Sequence, residues 1–255
     1  MRNIRRMHCS GTQQGLTIIE LMVAMVLGLL LMAVAIHIFV GNRDTYRYNS
    51  NLARLQENGR FAFEQVSRVV RMTGYQGASP NDWVLGPMSV ENGGVSPLAG
   101  SDNDTNNSDT ITITYKGSDD ASIKDCHGAD VVAASTVSNT YALDANNRLT
   151  CAVVLNGGAT DTRDIIDGVE GLHVLYGVDT DNDDAANQYV SAGNVADMEE
   201  VVSMRVSMLL RTLDDGLIEV TDTGTYDLLD ETIDPADDRR LRRVFSATIN
   251  LRNQL

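Results

Sequence analysis

Aromatic side chains are scarce in this sequence, 5% of the residues with a single Trp, so it has few surfaces on which single-stranded bases could stack. Basic residues are scarce as well: 20 Lys and Arg stand against 35 Asp and Glu, a formal net charge of −15. Such a balance is repelled by phosphate backbones and anionic lipid, and no direct contact with nucleic acid is expected. Histidine occurs only at His8, His37, His127 and His173. None has a recognisable Ser or Cys nucleophile context, no His pair has metal-ligand spacing, and no glycine-rich phosphate loop follows a strand pattern. The expectation is that the chain is not an enzyme. Proline is nearly absent, with four in all. None falls between residues 16 and 79, so nothing there breaks a helix. The 255 residues suffice for one ordinary domain plus an N-terminal helix, and no repeat is visible.

What is present in abundance is one apolar run. Residues 21–40 carry no charge and a single polar ring, His37. At ~1.5 Å per residue, about 20 residues cross a ~30 Å hydrocarbon layer as a helix. Arg2, Arg5 and Arg6 precede the run with no acid among them, which places the leader on the cytoplasmic side. Glu20 stands at the head of the apolar segment, just after Gly15-Leu16-Thr17-Ile18-Ile19. It has no obvious partner in its own chain, and a carboxylate in hydrocarbon costs several kcal/mol, so the residue reads as functional.

A basic leader ending in Gly15, then Leu16-Thr17-Ile18-Ile19-Glu20-Leu21 and an apolar helix, closely resembles the N-terminal signal of type IV pilins and pseudopilins. The resemblance implies that a prepilin peptidase cuts between Gly15 and Leu16 and methylates Leu16. It also implies that Glu20 accepts the N-terminal ammonium of a neighbouring subunit, which sets axial register. Relatives more often carry Phe after the scissile Gly, where this chain has Leu16. A secretory signal peptide would have a shorter core and a small-residue cleavage site, and a plain anchor would leave Glu20 unexplained.

On that reading Cys9 leaves with the leader, and Cys126 and Cys151 reach an oxidising periplasm. An even number of cysteines there favours one disulfide, worth ~3 kcal/mol for a loop of this length. A metal site is the other reading, but two thiols with His127 alone are too few ligands at the wrong spacing.

Beyond the membrane exit near Gly41, Leu52, Leu55, Ala62, Val66, Val69 and Thr73 recur at helical spacing opposite Arg54, Gln56, Glu57, Arg60, Glu64 and Arg68. Gly28, Gly41 and Gly59 are the points where such a helix could bend. Residues 74–109 read as loop. Strands are expected at 110–115, 130–134, 149–155, 171–178, 201–213, 217–220 and 241–251. The predicted fold class is α+β, a long N-terminal helix with a membrane-spanning first half packed on an antiparallel β-sheet head. Its divisions are a leader at 1–15, a helix at 16–74 with its transmembrane part at 21–40, and a periplasmic head at 75–255.

Three further passages are similar to the PilW-type minor pilins: Arg71-Met72-Thr73-Gly74-Tyr75-Gln76-Gly77, Asp167-Gly168-Val169-Glu170-Gly171-Leu172 through Leu175-Tyr176-Gly177-Val178-Asp179-Thr180-Asp181, and Arg242-Arg243-Val244-Phe245-Ser246-Ala247-Thr248-Ile249-Asn250-Leu251-Arg252-Asn253. Many relatives have a cysteine where this chain has Ala78, which leaves Cys126 and Cys151 as the intrachain pair. The resemblance implies a single-pass inner-membrane protein that takes part in priming pilus assembly, at the pilus tip, with other minor pilins, the major pilin, the peptidase and the inner-membrane platform as partners. A J-type minor pseudopilin of type II secretion, or a tethered adhesin or DNA-uptake component, is the alternative. No cofactor is expected except calcium, for which Asp179, Asp181 and Asp183 with Asn187 offer oxygens at calcium-loop spacing. The match is partial, with Asp184 in the glycine position and Val190 in place of the bidentate Glu. Arg239, Arg240, Arg242 and Arg243 form a local basic cluster in the acidic chain.

Overall fold

The computed structural model describes residue 15 and residues 17–77, 96–102, 107–119, 122–133 and 135–253. Leu16 and Ala78 lie outside the described residues, as do His8 and Cys9. The chain divides into two compact units, one ending at Arg47 and the other beginning at Tyr48. Helix α1, Ile18–Val70, contributes to both over its 53 residues. In the first unit its side chains are exposed throughout, among them Leu29, Leu31 and Phe39. By length and composition this is a helix that can cross a membrane.

In the second unit the same helix is amphipathic. Asn51, Leu55, Gly59, Ala62, Val66, Val69 and Val70 are buried, a stripe at three- and four-residue steps that joins the core of the head. Leu52 is only half-buried; the expected stripe is rotated slightly, because Asn51 and Gly59 take inward positions. Asn51 can do so because its amide donates to the Asp214 carboxylate at 3.2 Å. The helix gives way to a turn after Val70 that carries the chain through Gly74 in the left-handed region, φ 71°, where a Cβ is disfavoured.

A five-stranded antiparallel sheet follows in the order β1-β2-β3-β4-β5: β1 Leu98–Ser101, β2 Thr110–Lys116, β3 Thr136–Leu143, β4 Arg148–Leu155 and β5 Thr160–Asp167. A second sheet is built from β6 Val169–Val178, β7 Gln188–Val190, β8 Val201–Arg211 and β11 Arg242–Asn250, in the order β11-β8-β6-β7. The small hairpin of β9 Tyr226–Leu228 and β10 Glu231–Ile233 completes the set. Leu228 and Ile233 of that hairpin pack with Leu209 of β8 and Val244 of β11 in a second, smaller cluster. Phe245, next along β11, points to the helix instead, as pleat alternation requires.

Several expectations are corrected here. Residues 217–220 are not a strand, since the amides of Leu217 and Ile218 both donate to the Arg239 carbonyl rather than to a sheet neighbour. The described residues of 130–134 contain only isolated bridges, Lys124 with Asp130 and Ser118 with Val132. Within the stretch read as loop, β1 pairs with β2. Gly59 is not a bend but a close contact, since a Cβ there would lie 2.5 Å from the Phe245 ring.

Gly59→Val is therefore expected to lower head stability by about 1–3 kcal/mol through overpacking. Urea unfolding of the full chain measures it, and adding Phe245→Ala should remove most of the loss. A Gly59→Val chain as stable as wild type would show that the contact is not tight.

Candidate functional site

The head of α1 is the first place where sequence and structure differ usefully. Glu20 does have a partner in its own chain. Its Oε2 accepts from the Thr17 amide and from Thr17 Oγ1, both at 3.2 Å, while the Glu20 amide donates to Thr17 Oγ1 at 3.3 Å. This reciprocal arrangement is a capping box, satisfying amides that the first helical turn leaves without partners. The Thr-x-x-Glu spacing that signals it is plain in the sequence at Thr17 and Glu20.

In the head, Cys126 and Cys151 are joined, their Cα atoms 6.6 Å apart. The bridge ties the excursion between β2 and β3 to the middle of β4, and both residues are buried. Asn139 Oδ1 takes the Cys126 amide at 2.8 Å. His127 lies against the bridge, with Nε2 2.9 Å from the Cys151 carbonyl and Nδ1 3.5 Å from the Asp161 carboxylate. Reduction should destabilise the head by ~3 kcal/mol on the chain-entropy model. Thiol labelling of the native protein should find neither cysteine free until a reductant is added, and labelling of either without reductant would contradict the bridge.

Asp179, Asp181 and Asp183 bring a carboxylate oxygen each to within 4.8 Å of one another. Asp179 is the anchor of this turn. Its oxygens accept from the amides of Asp181, Asn182, Asp183 and Asp184, at 2.8–3.4 Å. Desolvation would raise the Asp179 carboxyl, but these amides outweigh it and hold it below the ordinary carboxylate value. Asp184, in the position where calcium loops carry glycine, adopts φ 63°, a conformation that Asp tolerates better than most residues. Asn187 does not offer a free oxygen: its Oδ1 takes the Thr180 amide and hydroxyl at 2.7 and 3.1 Å. The turn closes by its own hydrogen bonds, and Asp181, Asp183 and Asp184 are its exposed acidic residues.

The most highly charged buried site was missed by sequence reasoning. Arg242 has a side chain with no exposure, and it pairs with Glu170 at 2.7 Å, Asp238 at 2.8 Å and Asp222 at 3.2 Å. Arg211 pairs with the same Glu170 at 2.9 Å. Desolvation would lower the Arg242 guanidinium, but the bonds from Glu170 and Asp238 raise it further above its already high value. Tyr226 donates to Asp222 at 2.6 Å, and desolvation first, then that bond, pushes its phenol up to about 12. Three of the four arginines in the basic cluster are thus bonded within the head, while Arg243 is exposed. Arg240 donates to the carbonyls of Thr212 and Leu213, and Arg239 to that of Ile218.

His173 is buried on β6, its Nδ1 3.6 Å from the Asp109 carboxylate. His37 lies on the exposed apolar half of α1.

With this geometry in hand, two family models bear on the chain. The prokaryotic N-terminal methylation motif matches residues 11–36. The family described as Type IV Pilus-assembly protein W matches residues 131–253. The C-terminal half of the chain is thus similar to the PilW family, behind a type IV pilin-like N-terminus. The first match spans Gly15, Leu16 and the Thr17–Glu20 box. The second runs from the bridged excursion through β11 and includes Glu170 and Arg242. Among solved structures, the chain is similar to a type IV-like pilin from Thermus thermophilus, at 13% identity and a TM-score of 0.47, over 78% of this chain and 95% of that one. No curated protein matches it in sequence. A long apolar helix with antiparallel sheets and an N-terminal methylation motif supports a role in pilus assembly, and the pilin-like family that the chain resembles is structural rather than catalytic.

Proposed function

We propose that this chain is a minor pilin that primes type IV pilus assembly and remains at the pilus tip. The observation that carries the reading is the joining, in one chain, of an N-terminal methylation motif, an exposed apolar helix and a head similar to the PilW family. The prepilin peptidase cuts between Gly15 and Leu16 and methylates Leu16. The mature chain stays anchored in the inner membrane with its head in the periplasm, where other minor pilins, the major pilin and the assembly platform are its partners. The disulfide supports this placement, since such bridges persist in oxidising compartments.

Cleavage leaves Thr17 as the second residue of the mature chain, so the capping box survives it. Glu20 then begins assembly already hydrogen-bonded. On docking, its carboxylate receives the neighbour's N-terminal ammonium, and two charges that would be costly to bury alone are buried together.

Deleting the gene tests the reading. Surface pili should be lost or much reduced while exoprotein secretion continues, and supplying the gene in trans should restore the pili. Normal piliation with failed exoprotein secretion would instead make this a minor pseudopilin of type II secretion.

A further inference from the structure

The sequence offers two thiols and one imidazole as a metal site, too few ligands by themselves. In the fold, the sulfurs of Cys126 and Cys151 and one imidazole nitrogen of His127 lie within 4.8 Å of one another. A fourth group lies behind them: the Asp161 carboxylate stands 3.5 Å from His127 Nδ1, while Nε2 is turned toward Cys151. Metal-ligating histidines have their far nitrogen held by an acceptor that fixes ring orientation; here Asp161 holds Nδ1, and Nε2 rests on the Cys151 carbonyl beside the two sulfurs. The His127 side chain is only 3% exposed, so this is a built pocket. Asp161 is itself held by Arg163 at 2.8 Å.

We propose that in the dithiol form, which precedes the bridge, Cys126, Cys151 and His127 Nε2 bind one divalent ion of zinc type, with Asp161 as the positioning residue for the imidazole. Zinc takes sulfur at ~2.3 Å and nitrogen at ~2.0–2.1 Å in a tetrahedron, with water completing an open site. Two sulfurs on one zinc stand roughly 3.8 Å apart by that geometry, a spread that cysteines with Cα atoms 6.6 Å apart accommodate by side-chain rotation. His127 exchanges the Cys151 carbonyl for the metal.

The chemistry balances without electron transfer. Two S–H bonds break, two sulfur–metal bonds form, and two protons leave. Bridge formation is the competing step. A small-molecule or protein disulfide accepts two electrons from the dithiol and becomes a dithiol itself, the S–S bond forms here, and the ion is released. Metal and disulfide are therefore alternative clasps between the 117–135 excursion and β4, one for each redox state.

The test uses the full chain in detergent, kept reduced with a phosphine, and cobalt(II) and zinc(II) as probes. The reduced chain should bind one ion, and bound cobalt should show thiolate charge-transfer bands and intense tetrahedral visible bands. The oxidised chain should bind none at this site. His127→Ala should alter the visible bands and weaken binding at least ~10-fold, and Asp161→Asn should weaken it by ~10–100-fold while the bridge still forms on oxidation. The comparison of reduced with oxidised wild-type chain needs no substitution, so it decides the matter even if a variant fails to fold. A reduced chain showing no cobalt–thiolate bands would overturn the proposal, as would bands unchanged in a folded His127→Ala chain.

Discussion

Glu20→Ala is expected to leave export, leader cleavage and head folding intact and to cut incorporation into the pilus severely. Two losses are combined in this one substitution. The first is the cap: without the carboxylate, the Thr17 amide and hydroxyl lose their acceptor, at ~0.5–2 kcal/mol for an N-terminal cap. The second arises only on assembly, where on the proposed pairing the neighbour's ammonium is left buried with no counter-charge, at ~3–5 kcal/mol. Thr17→Val separates them, because it dismantles the reciprocal box and keeps the charge. It should assemble nearly as well as wild type, and Glu20→Asp should be rescued only partly, its carboxylate one methylene short. Crosslinking to other pilins and a count of surface pili provide the measurement. If Thr17→Val were as defective as Glu20→Ala, the carboxylate would matter only as a cap. Wild-type assembly by Glu20→Ala would remove it from the mechanism altogether.

Arg242→Met should be the most damaging single change in the head. It strands Asp222 and Asp238 beside Glu170, three acids that the unexposed guanidinium now joins. Removing one partner of a buried ionic cluster costs ~3–5 kcal/mol, against a total of ~5–15 kcal/mol for a typical domain. Urea unfolding should show the midpoint falling accordingly. Arg242→Lys should recover little, since one ammonium cannot reproduce a fork that reaches Glu170, Asp238, Asp222 and the Ala236 carbonyl.

The acid side of the stability profile should change as well. Desolvation alone would raise the Asp222 carboxyl, but the bonds from Tyr226, the Gly224 amide and Arg242 hold it below its ordinary value of 3.8. A group depressed in the folded state contributes stability that is present above its unfolded value and is lost as pH falls through the lower, folded one. Wild type should therefore weaken on acidification below about pH 4, and the Arg242→Met chain should weaken less steeply there. Parallel acid profiles for the two chains would mean that Arg242 does not govern these carboxyls.

How much of this could be read from residues alone depended on how each element is buried. Strands β2, β8 and β11 alternate apolar and polar residues, and α1 keeps a helical stripe, so each announces its period. Strand β3 has an equally strict inward and outward alternation in the structure. Its inward row is broken by the buried Asn139, and its outward row ends in Ala142, so only Val137, Tyr141 and Leu143 carry the apolar signal. In β5 the burial is almost all on one residue, Ile166, and there is no apolar row to see. Strands β9 and β10 are three residues each, too short for a period.

The site divides the same way. Once Cys9 is set aside, the bridge needs no long-range information, because two cysteines have one pairing. The acid turn at 179–187 is local and visible, though only geometry shows that the oxygen of Asn187 is already used. The Arg242 cluster depends on Glu170 and Asp222, 72 and 20 residues away in sequence. A run of arginines gives no hint of which acids will meet it.

Strand β6 is buried along nearly its whole length, only Leu175 being partly open, because neighbours pack on both its faces. Architecture and display are therefore assigned to different residues. The interior strands tolerate little substitution, since every side chain is enclosed by others. The turn at 179–187 and the segment at 213–220 lie at the periphery, with exposed residues such as Leu213 and Val220. A lineage could rewrite what this head shows to its surroundings by editing those turns alone, while the scaffold beneath stayed the same.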